Sequence, residues 1–371
     1  MAVDDVVLVT GGTGFIGFRT LRYALEEGYT VRAAVRSEAK AETIRRNSTL
    51  SSIKDLSSKL SFTIVPDFLA DGAVDEAVKG VKYVLHVASP LTTGFTVTDD
   101  LEAGIIKPAV QGTLGLFESA KKESSVKRIV VTSSMVAIPP IAVLIGQQAS
   151  EHVFSPKDRA HDVPGPYPAV IVAYVQSKIA ALKEGEAWVE KHKPQFDVIH
   201  IHPSYVGGRN DLAQTVEELC TGTNPSEYPP ESIPSLRHEL TYLAAPVFLE
   251  SVLGKDSDEY PGPRVANYID VDDVAKAHVL SLSEKVAGGQ SFLLTNEGGD
   301  MKWNDAQAIA KKHFPDAVKS GLLPNDFAEQ QFMVLHCDIS KTEETFGKIK
   351  SYEETIKALV GQYLELKEKA M

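Results

Sequence analysis

Val7-Leu8-Val9-Thr10-Gly11-Gly12-Thr13-Gly14-Phe15-Ile16-Gly17 is the stretch on which the fold turns. Four residues of an apolar, β-branched run pass straight into glycines, and a helical pattern follows over Phe15–Glu27. The glycines therefore sit where a strand becomes a helix N-terminus, and the unpaired N–H groups and helix dipole there attract a pyrophosphate. Gly11 permits the tight turn, Gly14 lets the backbone approach the phosphates, and Gly17 allows the helix to pack closely on the strand. Thr13, Phe15 and Ile16 complete the cradle.

Outward from this unit, short β-branched runs alternate with longer helical patterns, the signature of a parallel sheet covered on both faces. The strands expected are Val6–Thr10, Thr30–Val35, Phe62–Val65, Tyr83–Val87, Arg128–Thr132 and Val198–His202, with helices that include Asp99–Lys122 and Tyr174–His192. The fold class is α/β, a Rossmann-type doubly wound parallel sheet whose ligand crevice lies beyond the carboxyl ends of the strands. After Pro203 the composition turns loop-rich, as in Asn224-Pro225-Ser226-Glu227-Tyr228-Pro229-Pro230 and Tyr260-Pro261-Gly262-Pro263. Strand and helix signals return at Val265–Val271 and Asp272–Ser283, and Ser291–Thr295 offers a last strand to the main sheet. A smaller, interleaved C-terminal substrate lobe follows: residues 1–202 plus about 265–296 bind the dinucleotide, and 203–264 plus about 297–371 form the lobe.

With 371 residues, 43% of them hydrophobic, the chain fills one large core and has enough left for that second lobe. A net charge of −12 argues against nucleic acid and against an anionic membrane surface as partners, and favours a small uncharged molecule. Cys220 and Cys337 stand far apart, in no metal-ligand spacing, and read as buried thiols in a reducing compartment. No apolar run is long enough to span a membrane, and a first strand beginning at Val6 leaves no room for a signal or transit peptide, so the expected address is cytoplasmic. The Asn47-Ser48-Thr49 sequon carries no weight in such a chain. His86, His200 and His202 read as packing or pocket lining, and no metal is expected.

The end of the second strand discriminates between the nicotinamide cofactors, because an acid there binds the ribose diol and a cation accommodates a 2′-phosphate. The strand ends at Val35-Arg36 and Lys40 follows one helical turn later, so two cations are available and NADPH (NADP+) is the cofactor expected. Asp67 after the third strand is placed to accept from the adenine amino group, with Phe68 packing on the ring. The small side chains of Val87-Ala88-Ser89 after the fourth strand leave room for ribose and nicotinamide.

Tyr174 and Lys178 stand at i and i+4, on one face of a helix. The ammonium is expected to favour the phenolate and lower the tyrosine pKa, making Tyr174 a usable acid or base near neutrality. Val130-Val131-Thr132-Ser133-Ser134 closes the fifth strand at the carboxyl edge, where a serine hydroxyl can hydrogen-bond a substrate carbonyl. Hydride transfer from a dihydronicotinamide to a carbonyl carbon, with a proton from Tyr174 and with Lys178 on the ribose, follows from that set.

Over nearly its whole length the chain resembles an extended short-chain dehydrogenase/reductase, of the branch of dihydroflavonol reductases, cinnamoyl-CoA reductases and fungal aldehyde or ketone reductases. The resemblance rests on Gly11 to Gly17, Arg36 with Lys40, Val84-Leu85-His86-Val87-Ala88-Ser89-Pro90, Gly112-Thr113, Thr132-Ser133-Ser134, and Tyr174 with Lys178. Later segments agree: His202-Pro203-Ser204-Tyr205-Val206-Gly207-Gly208, Asn267 to Ala275, and Cys337 to Thr342. It implies that Ser134 is the catalytic serine, that Thr132 and Ser133 lie against the nicotinamide, and that the loop of Pro203 and Val206 backs it on the other side. Gln111 departs from the asparagine of many wider relatives, which puts a proton relay through that position in doubt.

The function expected is NADPH-dependent reduction of a small aldehyde or ketone. A nucleotide-sugar epimerase or dehydratase of the same fold and a non-catalytic NADPH-sensing protein are the competing readings. Arg36 and the lack of a cationic diphosphate clamp count against the first, and the presence of Ser134, Tyr174 and Lys178 against the second. Substrate choice falls to Phe95, Val136, Tyr205 and the 209–264 segment, with the apolar Val136–Gly146 run as a wall or lid, or as plain packing under the lobe. Its paired prolines rule out a continuous helix. The chain is expected to be a monomer or homodimer.

Overall fold

Seven parallel strands form the central sheet: β1 (Val6–Thr10), β2 (Thr30–Val35), β3 (Leu60–Ile64), β4 (Tyr83–His86), β5 (Arg128–Thr132), β6 (Asp197–Pro203) and, after three short strands, β10 (Ser291–Leu294). The three are β7 (Tyr205–Gly207), β8 (Arg264–Val265) and β9 (Tyr268–Asp270). The computed structural model describes residues 5–90, 94–221, 248–249, 252–253, 264–299, 301–326 and 331–370. The segments 224–230 and 260–263, and much of 209–264, lie outside the described residues.

The strand order is β10-β6-β5-β4-β1-β2-β3, so the winding reverses between β1 and β4. Thr10 at the end of β1 pairs with Ala34 of β2 on one side and His86 of β4 on the other. The crevice of a doubly wound sheet opens at this switch point, beside Gly11 and Val87-Ala88-Ser89. Val7, Leu8 and Val9 are all fully buried because each face of the sheet carries helices. Val7 and Val9 pack with Phe18, Leu21, Val274 and Ala277 on one side. Leu8 packs with Leu116, Phe117 and Trp188 on the other, as the alternation of a strand requires.

Several elements differ from the sequence expectation for identifiable reasons. The helix expected over 99–122 is regular only over Lys107–Lys122, preceded by a π turn at Glu102–Ile106. Pro108 has no N–H to give to an i−4 carbonyl, so the ladder changes register just before it. The tyrosine helix starts four residues early, at Val170, which places Tyr174 in its second turn. The run 265–271 is not one strand, because Asn267 between β8 and β9 spends its side chain on Leu335, donating to the carbonyl at 3.0 Å and accepting from the N–H at 3.2 Å.

Outside the main sheet, β7 pairs with β9, and β8 pairs with β11 (Phe332–Met333). Phe248, Tyr268, Trp303, Tyr352, Ile356 and Leu359 form a separate apolar cluster, to which the Tyr352–Ala370 helix contributes. Arg19 of the helix that follows the glycines pairs with Asp211 and Asp272, and Lys350 pairs with Asp270 and Asp272, joining the glycine helix to the C-terminal segments. Cys337 is buried, whereas Cys220 is only half-buried; neither forms a disulfide. No helix among the described residues is long and apolar enough to cross a membrane.

Candidate active site

The glycine turn has room for backbone and little else. Gly11 has φ +76°, and a methyl group there would lie 2.7 Å from the Ala88 nitrogen. A methyl on Gly17 would lie 1.9 Å from the Gly11 carbonyl oxygen, so the helix packs on the turn itself rather than on the strand before it. Gly14 is exposed, caps the Phe15–Glu26 helix without a side chain, and donates its N–H to Gly11 at 3.0 Å. Thr13, Phe15 and Ile16 are half-buried around it. The cradle fits an approaching phosphate because Gly14 brings no side chain to the helix N-terminus, and a Cβ there would meet only the Gly11 oxygen, at 3.5 Å.

Arg36 is exposed at the end of β2, and Ser37 caps the Glu38–Arg45 helix by accepting from the Lys40 N–H at 3.4 Å. Glu38, two residues beyond Arg36, pairs with Arg45 at 3.3 Å. Asp67 is exposed and accepts from the Leu69 N–H at 2.9 Å, which turns the chain after β3. Phe68 stacks on His86, with ring centroids 5.8 Å apart and planes 16° from parallel.

Lys178 is buried, its ammonium 5.7 Å from the Tyr174 ring centroid, and its Nζ donates to Ser89 Oγ at 2.9 Å. This one hydrogen bond ties the Val170–His192 helix to the end of β4. Burial holds the Lys178 ammonium down to about 8. The Tyr174 phenol departs from expectation: burial pushes it above its ordinary value, and a hydrogen bond with Ser134 only partly opposes that. The Lys178 charge does not reverse the direction, because desolvation penalises the phenolate more than the surroundings reward it.

Ser134 is buried and caps the short helical turn Met135–Ala137, with Oγ 3.4 Å from the Val136 N–H that donates to it. The sheet edge thus fixes its backbone while the hydroxyl reaches Tyr174. Ser133 Oγ is buried with no hydrogen-bond partner among the described residues. The Thr132 hydroxyl, expected against the nicotinamide, lies 2.6 Å from His278 Nε2, which ties the end of β5 to the Val271–Leu280 helix. The sequence shows only that hydroxyl residues end β1 and β5 and that histidines stand in apolar surroundings of other elements; which hydroxyl meets which histidine is set by the fold.

Phe95 packs over Gly104 and joins a cluster with Ala173, the neighbour of Tyr174. Val136 is half-buried against the cluster that holds Val175 and Ile179 of the same helix. Tyr205 meets Trp303 edge-on at 5.8 Å. Met135, Ala137, Ile138, Val143 and Leu144 are all buried, so the 136–146 run is largely packing, split by Pro139 and Pro140 into two short turns. Pro203 and Val206 are buried at the end of β6 and in β7. His200 and His202 are buried, stacked at 6.2 Å, and held neutral by desolvation. Among the described residues no group of three or more His, Cys, Asp or Glu gathers as a metal would need. Gln111 is exposed and lines a groove of about 310 Å³ with Gln176, Ala180 and Lys183. That row lies on the opposite face of the Val170–His192 helix from Tyr174 and Lys178, which separates Gln111 from the site.

The profile of the NAD dependent epimerase/dehydratase family matches residues 7–294. The chain is 39% identical over 370 residues to the ketoreductase CTB6 of Cercospora nicotianae, covering 99% of this chain and 97% of that one. It is 30% identical over 300 residues to a putative NADPH-dependent methylglyoxal reductase, GRP2, of Candida albicans, covering 79% of each. The crystal structure of Gre2 from Candida albicans in complex with NADPH superposes with a TM-score of 0.72 at 25% identity, covering 98% of this chain and 99% of that one.

Proposed function

The chain belongs to the NAD dependent epimerase/dehydratase family, and from that premise we propose that it is an NADPH-dependent reductase of small aldehydes or ketones. The observation that carries the reading is the convergence of Tyr174, Lys178, Ser89 and Ser134 at the carboxyl edge of the sheet, beside the glycine cradle. NADPH, when bound, supplies the hydride. Gly11, Gly14 and Gly17 admit its pyrophosphate, Arg36 and Lys40 its 2′-phosphate, Asp67 and Phe68 its adenine, and Val87, Ala88, Ser89, Ser133 and Lys178 its ribose and nicotinamide.

Ser134 donates a hydrogen bond to the substrate carbonyl oxygen, and Tyr174 delivers its proton to the same oxygen as negative charge develops there. A phenol held above its ordinary pKa is fully protonated at neutral pH, the form that reduction consumes. Lys178 stays cationic below about 8 and fixes its helix to Ser89. Phe95, Val136 and Tyr205 offer the carbonyl's substituents an apolar surround.

Two results are expected. Both protonated groups serve reduction, so its rate holds on the neutral and acid side and falls as pH rises through about 8, where Lys178 loses its proton. Alcohol oxidation needs Tyr174 as the proton acceptor, so it is slow at neutral pH and rises only at higher pH, as the phenol, held above its ordinary value by burial, loses its proton. Parallel pH profiles in the two directions would contradict these roles. The second concerns the cofactor: Arg36→Ala weakens NADPH binding by about tenfold to a hundredfold, the worth of one charge-assisted hydrogen bond, and leaves NADH nearly unchanged. Titration of both cofactors checks this, and an equal loss for both would remove Arg36 from the 2′-phosphate.

A further inference from the structure

His86 takes no part in the chemistry above, yet it occupies the switch point of the sheet. It ends β4 and is 3% exposed. Its Nδ1 lies 2.8 Å from Thr10 Oγ1, and the same oxygen accepts from the Ala88 N–H at 3.2 Å. Burial and the Lys178 charge push the imidazole down to about 3, so it is neutral at any working pH and meets Thr10 as donor in one tautomer and as acceptor in the other. Either way the Thr10 oxygen is pinned between His86 and Ala88. The Ala88 nitrogen is also the atom that a methyl on Gly11 would strike first. On its ring face His86 stacks with Phe68. One buried imidazole therefore touches the end of β1 where the glycine turn begins and the aromatic residue after β3, and through Thr10 it is linked to the backbone after β4.

We propose that His86 is a positioning residue of the dinucleotide site, setting the gap between the glycine turn and Val87-Ala88-Ser89 through Thr10 and backing Phe68. The role rests on the dinucleotide reading above and concerns affinity rather than rate. The polar chain His86–Thr10–Ala88 fixes two backbone segments that must both face the cofactor, and a neutral, desolvated imidazole does this without placing a charge near the phosphates.

The test is a double-mutant cycle on the full chain, read by NADPH fluorescence titration without substrate. His86→Phe keeps the stack on Phe68 and loses the ring nitrogen; Thr10→Val keeps the shape and loses the hydroxyl. Each is expected to weaken NADPH binding about tenfold, the scale of one buried hydrogen bond, and the double variant no further than either single one. KM for NADPH rises in step, while kcat at saturation falls less than about twofold. His86→Asn and Thr10→Ser, which restore a polar atom, recover most of the affinity, and the Thr10 pair carries the test alone if His86→Phe does not fold. Folded single variants with wild-type affinity, or losses that multiply in the double variant, would overturn the role of His86. Wild-type protein that binds no NADPH would overturn the dinucleotide reading itself.

Discussion

Tyr174→Phe lowers the rate of carbonyl reduction by a factor of about 10³, within the usual span for loss of a positioned general acid, and leaves NADPH affinity within about threefold because the substitution removes one hydroxyl and no packing. Phenylalanine fills the same volume, and the Lys178 contact with Ser89 does not pass through the phenol. Ser134 loses its hydrogen-bond partner on Tyr174 but keeps the Val136 N–H. Stopped-flow reduction and a separate NADPH titration check the two halves. A variant that binds NADPH normally and reduces at the wild-type rate would remove Tyr174 from the chemistry, whereas one that no longer binds NADPH would make it a binding residue.

Gly17→Ala is expected to cost the fold about 3 kcal/mol, at the upper end of what overpacking does. The added methyl would lie 1.9 Å from the Gly11 oxygen, 2.6 Å from the Gly11 carbonyl carbon and 3.1 Å from the Gly12 nitrogen. All three are backbone atoms of a tight turn, so no side-chain rotation relieves the clash. The turn must unwind or the Phe15–Glu26 helix must withdraw, taking with it Phe18 and Leu21, which pack under β1. Gly14→Ala is the informative contrast, since its methyl would meet nothing nearer than 3.5 Å. It should fold normally and lose NADPH affinity by occupying the space of the phosphates. Chemical denaturation separates the two variants; equal stability for both would show that the close approach at Gly17 is not what holds the turn.

Much of this architecture is legible in the residues because local and global demands agree there. A β-branched run, three spaced glycines and a helical pattern have one common solution at the start of the chain, and β1, β2 and the Phe15–Glu26 helix fall within a residue of expectation. Arg36, Lys40, Tyr174 and Lys178 stand out as candidates for the same reason: each occupies a strand end or a helix face. What the residues do not disclose depends on tertiary neighbours. The raised pKa of Tyr174 comes from burial, which the local helix pattern does not reveal. The pairing of Thr132 with His278 joins residues 146 positions apart, and that of Thr10 with His86 spans 76. The π turn before Pro108 is also tied to the sequence, since Pro108 cannot continue the i→i−4 ladder from the preceding residues and stands at the start of the regular helix.

The most direct measurement mixes the wild-type protein, saturated with NADPH, with a panel of aliphatic, aromatic and dicarbonyl substrates and follows the nicotinamide absorbance through a single turnover, with NADH and Tyr174→Phe alongside. The expected result is decay with NADPH for some carbonyl, little with NADH, and almost none in the variant. Tight NADPH binding with no decay for any carbonyl, or decay as fast in Tyr174→Phe as in the wild type, would contradict it.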